Sequence, residues 1–226
     1  MSKKPPAIIF DCDGVLVDSE VLALDVELSA LAALGLHYAR ADFCRRFMGM
    51  HNALFFKALD SDCRAATGQG LPRDFREQHR AQLFAACEAR LEAVADAHEA
   101  VNAARTARAV ASSTGARFLE YKLKRTGLWE AFAPHVYSAD LVANGKPAPD
   151  IYLHAAAALE MHPEQCLAIE DSINGVVSAR AAGMRVMGFT GGGHCLDETG
   201  GLLRDAGAER VLADWREARA LFESWG

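Results

Sequence analysis

Two aspartates, Asp11 and Asp13, stand two residues apart at the end of an apolar run in the stretch FDCDGVLVDSE. Alternate side chains of an extended segment share a face, so both carboxylates are directed at one place. Like charges that close repel and perturb each other's ionisation. A bound cation, a shared proton or plain solvent at a loop would each relieve them, and the pair alone does not choose. Cys12, between them, faces the opposite way by the same alternation and reads as core. A second acidic pair, Glu170 and Asp171, closes the run CLAIED, although a helix N-cap at Asp171 or Ser172 would account for one of these acids. Several carboxylates at one rim call for a cation, and oxygen-only donors favour magnesium over zinc or copper. Magnesium also takes phosphate oxygens, which points to a phosphorylated substrate.

Ser112, with Ser113 and Thr114 beside it, leads from the run RAVASS into a helical segment. Hydroxyls and free amides at a helix N-terminus suit a phosphate, and they suit simple capping equally well. In NGKPAPD, Lys146 is pinned between Gly145 and Pro147, a rigid setting that favours aiming its compact ammonium at an anion.

The elements that must position these residues follow from periodicity. AIIFD (7–11) is a short, fully buried strand. From Ser19, a good N-cap, Leu22, Leu24, Leu28 and Leu31 fall at helical spacing until Gly35. Helical segments follow over 40–47, 52–66 and 72–94, with no strand pattern between 19 and about 95. Beyond that point strands over 108–113, 135–139, 166–171 and 185–190 alternate with helices over 115–127, 149–160 and 172–183, and a weaker helix, strand and helix finish the chain. Such alternation predicts an α/β fold, a mostly parallel sheet covered by helices on both faces, with an all-helical block inserted after the first strand. The expected boundaries are 1–17 and 96–226 for the sheet domain and 18–95 for the helical one. Ligands of such sheets bind beyond the carboxyl ends of the strands. Asp11, Ser112 and Asp171 sit at those ends, with Asp13 just past the first.

The chain has 226 residues, 51% hydrophobic and 24% charged, enough for a substantial core. Its formal net charge of -6 argues against a broad grip on nucleic acid or an anionic membrane. No apolar run approaches a membrane span, and the N-terminus is too short in apolar residues for a secretory signal. The six cysteines are scattered without metal spacing and read as free thiols of a reducing cytosol, so a cytoplasmic protein is expected, a monomer or small homo-oligomer.

Together, DCDGVLVDSE, ASST, GKPAPD and IEDSINGVVSARAAGM resemble the four ordered motifs of the haloacid dehalogenase (HAD) superfamily. The resemblance covers nearly the whole chain and is greatest to the helical-cap branch of β-phosphoglucomutase-like and 6-phosphogluconate phosphatase-like proteins, with TGL and FTGGGH also similar to that group. It implies a Rossmann-like core with a helical cap. It further implies that Asp11 is the nucleophile, Asp13 the general acid and base, and Ser112 and Lys146 the groups that hold the phosphoryl oxygens. Magnesium would bind the Asp11 side chain, the Asp13 backbone carbonyl and Asp171, with Glu170 a direct or outer ligand. Asp13 selects phosphoryl chemistry within the superfamily, since dehalogenase, phosphonatase and ATPase members carry another residue there.

The expected activity is magnesium-dependent hydrolysis of a small phosphorylated metabolite, a sugar or sugar-acid phosphate. The alternatives are a β-phosphoglucomutase-type phosphomutase and a catalytically silent binding protein on the same fold. In RRFMGMHN (45–52), family members present a cap loop to substrate, which nominates Arg46, Gly49, His51 and Asn52; for Arg46 a solvated helix end is the competing reading. Met48 and Met50 read as packing residues, and Lys57, Arg73, Arg76 and His79 as a solvated helical face. His194, after Gly191–Gly193, resembles a family feature near the active-site rim and has no assigned role. Hinges are expected near Val17–Ser19 and Ala93–Asp96. There LEAVADAHEAV stands where relatives commonly carry a Pro-Gly or Gly-Val turn.

Overall fold

The computed structural model describes residues 4–47 and 52–225. Contacts divide the chain into two compact units, one of Ser19–Arg90 and one of the residues up to Asp18 and from Leu91 onward. The sheet-bearing unit opens with β1 (Ala7–Phe10), whose four residues are all buried. The helical unit follows as α1 (Ser19–Ala33), α2 (Arg40–Phe47), α3 (Asn52–Thr67) and α4 (Phe75–Arg90). Gly35 ends the first turnaround at φ +82, a left-handed conformation that glycine adopts without steric cost. The interior of this unit is aromatic: Phe47 meets Phe43 at 4.7 Å and Phe55 at 5.6 Å between ring centroids.

The chain then continues as α5 (Ala97–Ala103), β2 (Ala107–Ser112), α6 (Ala116–Arg125), α7 (Trp129–Phe132), β3 (Val136–Ser138) and α8 (Asp150–Ala158). It ends as β4 (Cys166–Glu170), α9 (Ile173–Ala181), β5 (Arg185–Phe189), α10 (Thr199–Asp205), β6 (Arg210–Leu212) and α11 (Trp215–Glu223). The strands form one parallel sheet in the order β3-β2-β1-β4-β5-β6. Strand order reverses around β1, which puts a crevice beyond its carboxyl end. Successive residues of the strands feed opposite faces. Ile9, Ala109 and Ala168 pack with Tyr152, Ala155, Val176 and Leu203 on one side. On the other, Phe10 meets Phe132 at 5.4 Å and Trp215 at 5.9 Å, and the Trp215 indole donates to the Val15 carbonyl.

Several boundaries depart from the pattern-based ones for visible reasons. β1 ends at Phe10, yet the Asp11 amide still donates to the Ile169 carbonyl at 3.0 Å, so the ladder reaches the first aspartate. α4 occupies Phe75–Arg90 and not 72–94, because Pro72 accepts from Phe75 in a turn and Glu92–Val94 run extended beside Leu16–Asp18. Leu91–Ala95, expected with the helical block, therefore belong to the sheet-bearing unit. Hydrophobic spacing did not expose the short helices α5 and α7. At the second hinge, Asp96 adopts φ +65, the conformation a glycine would take, and aspartate is among the residues that tolerate it.

Candidate active site

Five residues from four segments meet at the carboxyl edge of the sheet. Asp11 follows β1, Ser112 ends β2, Glu170 ends β4, Asp171 follows it, and Lys146 lies on the loop before α8. Lys146 is the hub, and its side chain is 6% exposed. Its ammonium donates to Asp11 Oδ1 at 2.6 Å, to Glu170 Oε1 at 2.5 Å and to the Ala111 carbonyl at 3.0 Å. Glu170, fully buried, also accepts from the Tyr152 hydroxyl at 2.5 Å and from Ser172 Oγ at 3.2 Å. Ser172 in turn caps α9, accepting from the Gly175 amide, which answers the capping alternative in favour of Ser172.

Asp11, Glu170 and Asp171 each place an oxygen within 4.8 Å of the others, the group of acids among the described residues able to hold a metal ion. An oxygen donor set suits a hard cation, so these residues fit magnesium. Burial pushes the Asp11 carboxyl well above its ordinary range; Lys146 pulls it down, and Glu170, Asp171 and Asp13 push it further up. Burial alone would depress Lys146, but Asp11 and Glu170 hold its ammonium well above the usual lysine range. Burial, with Glu170 beside it, likewise raises the Tyr152 phenol.

Asp13 turns to a second set of partners. Thr114 Oγ1 donates to its Oδ2 at 2.7 Å and Ser112 Oγ to the same oxygen at 3.4 Å, while the Lys122 ammonium pairs with Oδ1. Lys122 also reaches Thr114 Oγ1 at 3.1 Å and sits 4.6 Å from the Phe118 ring centroid. The Asp13 carboxylate thus lies outside the three-acid group, and only its backbone carbonyl remains for the cation role that the resemblance gave it.

Ser112 is buried and accepts from the Thr114 amide at 3.0 Å. α6 begins later, after Gly115, and Asp140 accepts from its Ala116 amide, so Ser112 does not cap that helix. Ser113 is exposed beside it. Arg46 is half-exposed and pairs with Asp62 at 2.6 Å within the helical unit. Asn52 opens α3. Gly49, His51, Met48 and Met50 lie outside the described residues.

Periodicity and motif spacing passed over two site residues, Lys122 and Tyr152. Lys122 stands between Leu119 and Leu123 on the buried face of α6, and a charge on that stripe signals a buried partner. Tyr152 sits on the buried face of α8. Thr114, expected only as a hydroxyl beside Ser112, donates to Asp13, a contact the spacing did not show. His194, 3% exposed, approaches Asp171 Oδ2 with Nε2 at 3.1 Å. Burial opposes its protonation, but the Asp171 contact and Cys195 carry its pKa to about 11.

A model of the haloacid dehalogenase-like hydrolase family matches residues 5–183. The chain belongs to that family. The fold and the HAD resemblance expected from the four motifs are therefore met. Among HAD relatives, a phosphorylated carbohydrates phosphatase of Thermotoga maritima is 32% identical over 210 residues, 91% of this chain and 93% of that protein. The chloroplastic protein SUPPRESSOR OF QUENCHING 1 of Arabidopsis thaliana is 31% identical over 217 residues; the match takes 93% of this chain and spans about a fifth of that protein, 20%. A HAD-family hydrolase of Deinococcus radiodurans R1, solved with bound phosphate and sodium, is 32% identical, with a TM-score of 0.84 over 100% of this chain and 98% of that one. Among the described residues no helix is long and apolar enough to cross a membrane.

Proposed function

We propose that this hydrolase is a magnesium-dependent phosphatase of small phosphorylated sugars or sugar acids, working through an aspartyl-phosphate on Asp11. The observation that carries the reading is the Lys146 hub: a buried ammonium shared by Asp11 and Glu170, with Asp171 alongside, at the reversal point of a parallel sheet. A phosphorylated carbohydrates phosphatase among the relatives supports the substrate class.

In this reading an Asp11 oxygen attacks phosphorus in line, the bond to the sugar oxygen breaks, and Asp13 gives that oxygen a proton. Water then attacks the same phosphorus, Asp13 takes the proton released, and the bond to Asp11 breaks to free inorganic phosphate. Lys146 holds phosphoryl oxygens through both steps, and the Ser112 hydroxyl adds a donor. Magnesium on Asp11, Asp171 and the Asp13 carbonyl, with Glu170 beside them, would supply neutralisation of the phosphoryl charge. Thr114 and Lys122 orient the Asp13 carboxyl that must reach the leaving oxygen. The geometry does not favour the phosphomutase alternative over hydrolysis, and the next measurement separates them.

That measurement is magnesium-dependent phosphate release across sugar, sugar-acid and nucleotide monophosphates, with β-glucose 1-phosphate plus its bisphosphate activator included. Release from a cluster of related sugar phosphates, abolished in Asp11→Asn, is the expected result. Isomerisation of β-glucose 1-phosphate without net release would replace hydrolysis by mutase chemistry. No phosphate release from any substrate, together with no magnesium binding, would revive the binding-protein reading.

A further inference from the structure

The GGGH stretch that follows β5 does not enter the steps above, yet its histidine is buried against the acidic group. His194 Nε2 lies 3.1 Å from Asp171 Oδ2, and both side chains are almost wholly enclosed. The loop is tied down, because the Gly193 amide donates to Asp18 Oδ1 at 3.1 Å. Space around the pair is kept clear of side chains from two directions. Gly14, directly after Asp13, has φ +74, and a Cβ there would stand 2.0 Å from Asp171 Oδ2 and 2.5 Å from His194 Cε1. A Cβ on Gly192 would stand 2.6 Å from the Gly14 carbonyl oxygen and 2.8 Å from the His194 ring. Here Nδ1 is buried and makes no hydrogen bond among the described residues, so the ring's polar contacts are Asp171 and the Cys195 thiol, 3.5 Å from the same Nε2.

We propose that His194 is a positioning residue for the cation site: its Nε2–H donates to Asp171 Oδ2, fixes the rotation of that carboxylate and leaves its other oxygen for the metal. The partner fixes where a proton must sit, because a carboxylate oxygen at this distance needs one on Nε2. Hydrogen bonds of this kind to a ligating carboxylate set metal affinity rather than substrate affinity. Gly14 and Gly192 complete the device, since neither loop closes around the ring if it carries a side chain.

The inference rests on Asp171 being a cation ligand, as proposed above. The experiment is direct binding of magnesium by calorimetry, and of manganese by electron paramagnetic resonance, to the full chain and to His194→Leu, His194→Gln, His194→Asn and Asp171→Asn. His194→Leu should weaken metal binding by about 10–100-fold. Substrate KM at saturating magnesium should stay within about threefold, with kcat recovering as magnesium is raised. His194→Gln, whose amide nitrogen reaches the Nε2 position, should restore most of the affinity, and His194→Asn, whose amide falls short, should not. If the leucine variant fails to fold, the Gln–Asn contrast carries the test alone. Equal metal affinity across the three His194 variants and the parent would overturn the proposal. A fall in kcat at unchanged metal affinity would do so too. If Asp171→Asn also binds metal as the parent does, the cation-site reading itself has failed; if only Asp171→Asn loses binding, the fault lies with His194.

Discussion

Lys146→Met tests the hub most directly, and its cost can be worked from the geometry. The ammonium lies 2.5 and 2.6 Å from two buried carboxylates. At an effective dielectric near 20, each contact is a gross attraction of about 6 kcal/mol, set against a desolvation cost of several kcal/mol for each ion. Removing one partner from such a buried cluster costs about 3–5 kcal/mol. The variant has one escape, which is to take up a proton on a carboxyl that the unfolded chain leaves ionised. For a carboxyl of ordinary pKa near 4, that uptake costs about 4 kcal/mol at pH 7 and about 1.4 kcal/mol at pH 5. The loss of stability should therefore be about 3–4 kcal/mol at pH 7, shrinking by more than half at pH 5. Urea unfolding in EDTA, followed by tryptophan fluorescence, measures it cleanly, since Trp129, Trp215 and Trp225 all lie outside Ser19–Arg90 and report on the sheet-bearing unit. A deficit under about 1 kcal/mol at pH 7, or one that does not change between the two pH values, would refute the reasoning.

Other perturbations probe the neighbouring contacts. Lys122→Met removes the ammonium paired with Asp13 and should cost about 3–5 kcal/mol in the same unfolding assay, whereas a surface lysine such as Lys124, paired with Glu120, should cost under about 1 kcal/mol. Gly175→Ala should destabilise even though alanine is favoured in helices by about 1 kcal/mol, because its Cβ would fall 1.9 Å from the Glu170 carboxyl carbon; Gly201→Ala, with nothing within 4 Å, should be neutral or stabilising. The sign of that pair decides whether Glu170 fills the space under α9. The raised pKa of Asp11 means that the folded chain binds its proton more tightly than the unfolded chain does. Its contribution to stability is fully present below the unfolded value near 3.9 and is lost as pH rises through the folded value. In EDTA, Asp11→Asn should therefore gain on the parent as pH rises from 4 to 7, and parallel pH profiles would contradict the shift.

Much of the site was legible because its residues stand at strand ends, where period-two burial stops and polar side chains begin. Asp11, Ser112, Glu170 and Asp171 were found that way, and Lys146 by its rigid flanks. What escaped was the layer beneath. Lys122 and Tyr152, and the contact of Thr114 with Asp13, join segments far apart in sequence, and helical periodicity gives a buried lysine no name for its partner. The fold was legible for the related reason that its strands are continuous apolar runs. α7 has only four residues, too few for a helical period to register, and the end of α4 was set by pairing between Glu92–Val94 and Leu16–Asp18. The orientation of Asp13 toward Lys122 was the least accessible feature, because alternation predicts a face and not a rotamer.

That pairing has a consequence for how the molecule is assembled. The Asp18 amide donates to the Glu92 carbonyl at 3.1 Å and the Val94 amide to the Leu16 carbonyl at 3.0 Å, so both ends of the helical insertion are fastened together inside the sheet-bearing unit. To the sheet, the insertion is then a closed loop, and loop-closure entropy grows only logarithmically with length, by about 0.6 kcal/mol for each doubling. Lengthening, shortening or exchanging Ser19–Arg90 leaves the register of β1 against β2 and β4 untouched. The charged cluster is inherited whole, while the segment delivered between its two fastened ends is free to diverge.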